Sequence, residues 1–139
     1  MTDRTGAGAR IVVADDEADI RRLTVFTLRR RGYEVLEAVA GDEALDLIRQ
    51  ELPDLAVLDV MMPGLSGLEV ADAVRRDPAT AAIPVILLSA KGQASEIQNG
   101  LASGASFYLV KPFSPRELGE RVAVALAGDP VTVSAIGGG

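Results

Sequence analysis

The 139-residue chain is the size of one ordinary domain and is long enough to close a core without disulfide or metal staples. Acids outnumber bases 20 to 14, a formal net charge of -6, which argues against a phosphate-backbone surface and so against direct nucleic-acid binding. Cysteine and histidine are both absent. Thiol chemistry and the commonest general base are thereby excluded, and any phosphoryl group handled here must come from a donor on another molecule.

No apolar run approaches the roughly twenty residues of a membrane span. Residues 1–9 lack the apolar centre of a signal peptide and read as a short disordered leader. These features fit a cytoplasmic location. The first strand is predicted over Arg10 to Ala14, built on Ile11-Val12-Val13, and Asp15-Asp16-Glu17 follow it directly. A helix then runs to about Arg31, with Ile20, Leu23 and Thr27 as its inner stripe and Phe26 beside them. Arg29-Arg30-Arg31 suit a helix C-terminus, and Gly32 stops the helix.

Glu34 to Ala38 is a second strand, and Asp42 to Glu51 a second helix with Ala44, Leu45 and Ile48 on one face, ended by Pro53. Leu55 to Leu58 is a continuous apolar run, as in a strand covered on both faces of a parallel sheet, and it ends in the carboxylate of Asp59. Pro63-Gly64 turns the chain. Ser66-Gly67-Leu68-Glu69 has capping-box spacing and opens a third helix from about Gly67 to Arg76, with Val70, Ala71 and Val74 inward.

Pro84 introduces a fourth strand, Val85 to Leu88, which runs into Ser89-Ala90-Lys91-Gly92. The helix predicted after it is weak, because Ile97 and Leu101 offer little apolar face among the poor helix formers Asn99, Gly100 and Ser103. It is expected to be the most mobile helix. Phe107 to Val110 is the fifth strand and leads into Lys111-Pro112-Phe113. Ser114-Pro115-Arg116-Glu117 is a second capping box, and Leu118, Val122, Ala125 and Leu126 form the buried stripe of a last helix. Residues 128–139 read as a flexible tail or truncated linker, leaving 10–127 as the domain.

Strands alternating with helices imply an α/β protein with right-handed crossovers and helices on both faces, a flavodoxin-like (βα)5 doubly wound parallel sheet of strand order 2-1-3-4-5. In such a sheet the C-terminal strand ends share one edge, where ligands bind. Here that edge gathers Asp15 and Asp16, Asp59, Ser89 and Lys111. Clustered carboxylates without His or Cys suit a hard cation such as Mg2+. Lysine and hydroxyl suit phosphoryl oxygens, and an aspartate can itself attack phosphorus to form an acyl phosphate. Singly, each residue also has a plainer role: Asp59 as a turn or cap, Asp15 as an exposed acid, Asp16 as a helix cap with Asp19 three residues on, Ser89 as a turn residue, Lys111 as a solvated charge.

As a set, Asp15-Asp16, Leu58-Asp59-Val60-Met61-Met62-Pro63-Gly64-Leu65-Ser66-Gly67, Leu88-Ser89-Ala90 and Tyr108-Leu109-Val110-Lys111-Pro112-Phe113 resemble the receiver domain of two-component response regulators, the CheY-like superfamily, over Arg10 to Ala127. The resemblance implies a phosphorylation-dependent signalling switch rather than an enzyme. Asp59 would be the phosphoacceptor. Asp16, Asp59 and the backbone carbonyl of Met61 would hold Mg2+, with Asp15 acting through water. Ser89 and Lys111 would hold the phosphoryl group, Ser89 and Tyr108 would transmit it, and the Lys111-Pro112 bond would be cis. Implied partners are a histidine kinase or phosphotransfer protein upstream, and downstream a protein partner or an output domain missing from these residues. A second copy of the chain is another candidate partner, through the face of the fourth predicted helix, fifth strand and last helix.

Lys91, two residues after Ser89, stands where it could reach the site mouth, although a plain surface role is its default. Two rivals remain. A Mg2+-dependent aspartyl phosphatase of the haloacid dehalogenase kind needs Asp-x-Asp at the strand end, whereas Met61 occupies the second position. A flavin-binding electron carrier needs a Ser/Thr/Gly-rich phosphate loop where Asp15-Asp16-Glu17 stands.

Overall fold

The computed structural model describes residues 8–90 and 106–127. Five parallel strands, β1 (Arg10–Ala14), β2 (Glu34–Ala38), β3 (Leu55–Asp59), β4 (Val85–Ala90) and β5 (Phe107–Lys111), form one sheet in the order β2-β1-β3-β4-β5. The described helices are α1 (Ala18–Arg30), α2 (Gly41–Glu51), α3 (Gly67–Arg76) and α4 (Pro115–Ala127). The flavodoxin-like expectation and its strand order hold. The helix predicted after the fourth strand, Lys91 and the residues from 128 onward lie outside the described residues.

The strands alternate their side chains between two apolar layers. Ile11, Val13, Leu55, Val57, Ile86 and Leu88 pack with Val25 and Leu28 of α1 and Leu118 and Val122 of α4. Val12, Ala14, Ala56, Leu58, Val85 and Leu87 pack with Ala44 and Ile48 of α2 and Val70 and Val74 of α3. Every residue of β3 is buried, which explains its lack of polar alternation.

Three sequence expectations shift. Of the expected leader, Gly8 and Ala9 already belong to the fold: Gly8 N–H donates to the Gly32 carbonyl at 2.8 Å, and the wholly buried Ala9 accepts from Glu34 N–H at 2.9 Å. The buried stripe of α1 is Thr24, Val25, Thr27 and Leu28, while Leu23 and Phe26 are 38% and 60% exposed. Thr27 is inside as expected, but Thr24 is not legible as core; its hydroxyl donates to the Ile20 carbonyl at 2.8 Å within the helix, so it needs no water. Finally, β4 and β5 extend past their predicted ends, so Ser89 pairs with Val110 and Ala90 with Lys111 inside the ladder.

Candidate phosphoryl and metal site

The chain goes from β1 outward to β2, then returns to the other side of β1 for β3, so strand order reverses between β1 and β3. Ala14 is level with Leu58, which puts the next residues, Asp15 and Asp59, side by side at the mouth of that reversal. Asp59 is level with Leu88, one step before Ser89, and Lys111 with Ala90 on the far side of β4. The register thus delivers two acids, a hydroxyl and an ammonium to one rim.

Two local devices hold Asp59 still. Gly67 N–H donates to the Val60 carbonyl at 2.9 Å and Val60 N–H to Leu88 at 2.9 Å, folding the chain back immediately after the acid. A Cβ at Gly67 would stand 2.3 Å from the Asp59 carbonyl oxygen, so only glycine allows this approach. The Ser66 hydroxyl accepts from Glu69 N–H and the Glu69 carboxylate accepts from Ser66 N–H, a complete capping box that starts α3 at that point.

Lys111 is the hub of the charges. Its ammonium lies 3.2 Å from Asp15 Oδ2, 3.2 Å from Asp59 Oδ2 and 2.8 Å from Glu17 Oε1. Oxygens of Asp15, Glu17 and Asp59 all fall within 4.8 Å of one another. Burial, and then the adjacent Asp15 charge, push the Asp59 carboxyl up to about 7 against the opposing pull of Lys111. Burial alone would lower Lys111, but the Glu17 hydrogen bond and the charges of Asp15 and Asp59 outweigh it and raise the ammonium above its usual range. Three acids against one lysine leave an excess of negative charge, which a divalent cation would neutralise.

Two buried polar atoms lack hydrogen-bond partners among the described residues: Asp15 Oδ2 and Ser89 Oγ, on residues with no exposed surface. Asp15 commits only its other oxygen locally, accepting from Glu17 N–H at 2.9 Å. A buried carboxylate oxygen that has the Lys111 ammonium beside it at 3.2 Å but no hydrogen bond, and a buried hydroxyl with no partner, fit an oxygen-seeking cation and a phosphoryl oxygen, respectively.

Of the residues singled out from sequence, the structure gathers Asp15, Asp59, Ser89 and Lys111. Asp16 is exposed and is not among the three grouped acids, and Glu17 rather than Asp16 takes the N-cap position of α1, without a side-chain cap bond. Met61 is 61% exposed beyond the strand end and Tyr108 is 40% exposed on β5. The Lys111-Pro112 bond is cis. Glu17 is the residue that sequence reasoning passed over. Its spacing, two after Asp15 at the start of a helix, was the available signal.

Fold and site together define a doubly wound α/β domain with an acid and lysine centre at the carboxyl edge of its sheet. The chain matches the response regulator receiver domain family over residues 11–123, and it belongs to that family, whose members are signalling domains rather than classical enzymes. It is 45% identical over 119 residues to the phosphate regulon transcriptional regulatory protein PhoB of Pseudomonas aeruginosa, covering 86% of this chain and 52% of that protein. Among solved structures it resembles the chemotaxis response regulator CheY4 of Vibrio cholerae, with 34% identity, TM-score 0.80, and 86% and 99% of the two chains covered. It also resembles the receiver domain of NtrX from Brucella abortus, with 31% identity, TM-score 0.80, and 86% and 99% covered. The chain spans about half the length of the curated relatives it matches. Family membership removes the phosphatase and flavin-carrier rivals. Among the described residues no helix is long and apolar enough to cross a membrane.

Proposed function

We propose that this domain is a phosphorylation-dependent switch in which Asp59 accepts a phosphoryl group from a histidine kinase, a phosphotransfer protein or a small phosphodonor. An Asp59 oxygen bonds to phosphorus, and the bond from phosphorus to the donor nitrogen or oxygen breaks with its electron pair kept by the donor. Lys111 and Ser89 receive the phosphoryl oxygens, and Ser89 with Tyr108 carries the change toward the face around β5 and α4. The observation that carries this reading is Asp59, buried at a strand end with a second acid next to it and a lysine at 3.2 Å, its register one step short of the buried, unpartnered Ser89 on the neighbouring strand.

Mg2+ is the cofactor we assign, held by Asp16, Asp59 and the Met61 carbonyl, with Asp15 acting through water. Bound there, it would neutralise charge on the acceptor and the phosphoryl group. The exposed Asp16 has to turn inward for this, so Asp16→Asn and Asp15→Asn measured side by side for Mg2+ affinity separate the two roles. Domain limits of 10–127, with Gly8 and Ala9 bonded to the domain's edge, and a cytoplasmic setting belong to the same proposal. As the Pseudomonas relative is by name a transcriptional regulatory protein, we propose output through a protein partner or an attached domain, with a second copy as an alternative occupant of the same face. Intact mass after acetyl phosphate and Mg2+ is expected to rise by one phosphoryl group in the wild type and not in Asp59→Asn; an equal gain in both would overturn the assignment.

A further inference from the structure

The shortest contact that Lys111 makes at the site is with the residue least enclosed by it. Glu17 Oε1 accepts the Lys111 hydrogen bond at 2.8 Å while the Glu17 side chain is 60% exposed; Asp15 and Asp59, at 3.2 Å, are 0% and 5% exposed. An ammonium has three N–H donors, and three carboxylates surround this one. A phosphoryl group on Asp59 brings about -1.5 to -2 of charge and strong acceptor oxygens. Lys111 donates a hydrogen bond to Glu17 and meets Asp15 and Asp59 as ion pairs, so turning toward the phosphoryl oxygens draws it away from a present partner.

The partners differ in how readily they can be released. Asp15 and Asp59 are short side chains on strand ends, and Asp59 is pinned further by the Gly67 approach. Glu17 reaches in from the start of α1 on a longer side chain, and water can solvate its carboxylate as soon as it lets go.

We propose that Glu17 is a positioning residue that tethers Lys111 in the unphosphorylated domain and competes with the phosphoryl group for that ammonium. The proposal rests on the reading of Asp59 as acceptor. Because tether and phosphoryl group draw on one ammonium, whatever stability the Glu17 pair lends the resting state is subtracted from the affinity for the phosphoryl group. For an ion pair with one exposed partner the effect is about two- to five-fold. Charge alone would act in the same direction, since Glu17 also stands where anionic donors approach. Glu17→Asp separates the two, keeping the charge while shortening the reach by one methylene.

The test is the affinity for beryllofluoride, a phosphoryl mimic, at saturating Mg2+, alongside the acetyl phosphate reaction rate, with Mg2+ affinity and thermal midpoint measured for each variant. The tether predicts that Glu17→Gln and Glu17→Asp both bind the mimic about two- to five-fold more tightly than wild type and react faster, with thermal midpoints close to wild type. Three results would overturn it: variants indistinguishable from wild type, weaker binding in Glu17→Gln, or a Glu17→Asp protein that behaves as wild type while Glu17→Gln binds more tightly. A wild-type domain inert to both reagents would instead remove the reading of Asp59 itself, so the two failures are distinguishable.

Discussion

Asp59 carries the sharpest consequence at the scale of single residues. Burial and Asp15 raise its carboxyl from an ordinary 3.8 to about 7, so between roughly pH 4 and pH 7 the folded metal-free domain holds a proton that the unfolded chain has lost. Stability of the metal-free protein therefore falls as pH rises through that window. Asp59→Asn removes the liability. In urea denaturation with chelator, the variant is expected to gain on wild type from pH 5 to pH 7.5 by an amount on the order of a few kcal/mol; parallel stability curves would contradict the assignment. Lys111→Ala has the opposite effect, since it leaves buried acids facing one another without a counter-charge. It is expected to cost about 3 kcal/mol in chelator, and the same denaturation curves repeated with Mg2+ should recover part of the loss. Residue roles were partly legible in the sequence: acids, hydroxyl and lysine at strand ends announce a charged mouth. The Glu17 contact was not, because a long side chain at a helix start can turn to solvent or inward, and only the register of β5 decides that Lys111 is there to meet it.

Elements hold the site through close backbone approaches more than through side-chain chemistry. Gly67→Ala would drive a methyl group against the Asp59 carbonyl oxygen, 2.3 Å away, and is expected to destabilise the domain by about 1–3 kcal/mol while slowing phosphoryl uptake. Ser66→Ala removes half of the capping box at the same helix start and is expected to cost about 1 kcal/mol in the same denaturation assay, with a smaller effect on uptake. If Gly67→Ala lowered stability yet left uptake at the wild-type rate, the proposed link between loop geometry and the acceptor would fail. The sequence shows the capping box outright, since Ser and Glu at the right spacing leave little else for that stretch to be. It shows α1 less well. Leu23 reads as core and Phe26 as its flank, but both stand exposed, with the Arg30 guanidinium 5.6 Å over the Phe26 ring, while Thr24 joins the expected Thr27 in the interior. Periodicity counts apolar side chains, and a threonine that bonds its own helix is apolar in effect only.

For the molecule as a whole, function follows from topology. Parallel strands place every C-terminal end on one edge, and the reversal between β1 and β3 leaves a mouth there into which two acids project side by side. This much could be read from the chain, because unbroken apolar runs such as Leu55 to Leu58 belong in a sheet covered on both faces. What alternation cannot convey is the height at which a strand ends, and so β4 and β5 prove longer than predicted, bringing Ser89 and Lys111 into the ladder. The most direct test of the acceptor is chemical trapping: the domain is treated with acetyl phosphate and Mg2+, reduced with borohydride, digested and mapped by mass spectrometry. The prediction is a reduced aspartyl residue at position 59, formed only when Mg2+ is present. Trapping at Asp15 or Asp16, or trapping at Asp59 that is indifferent to chelator, would contradict it.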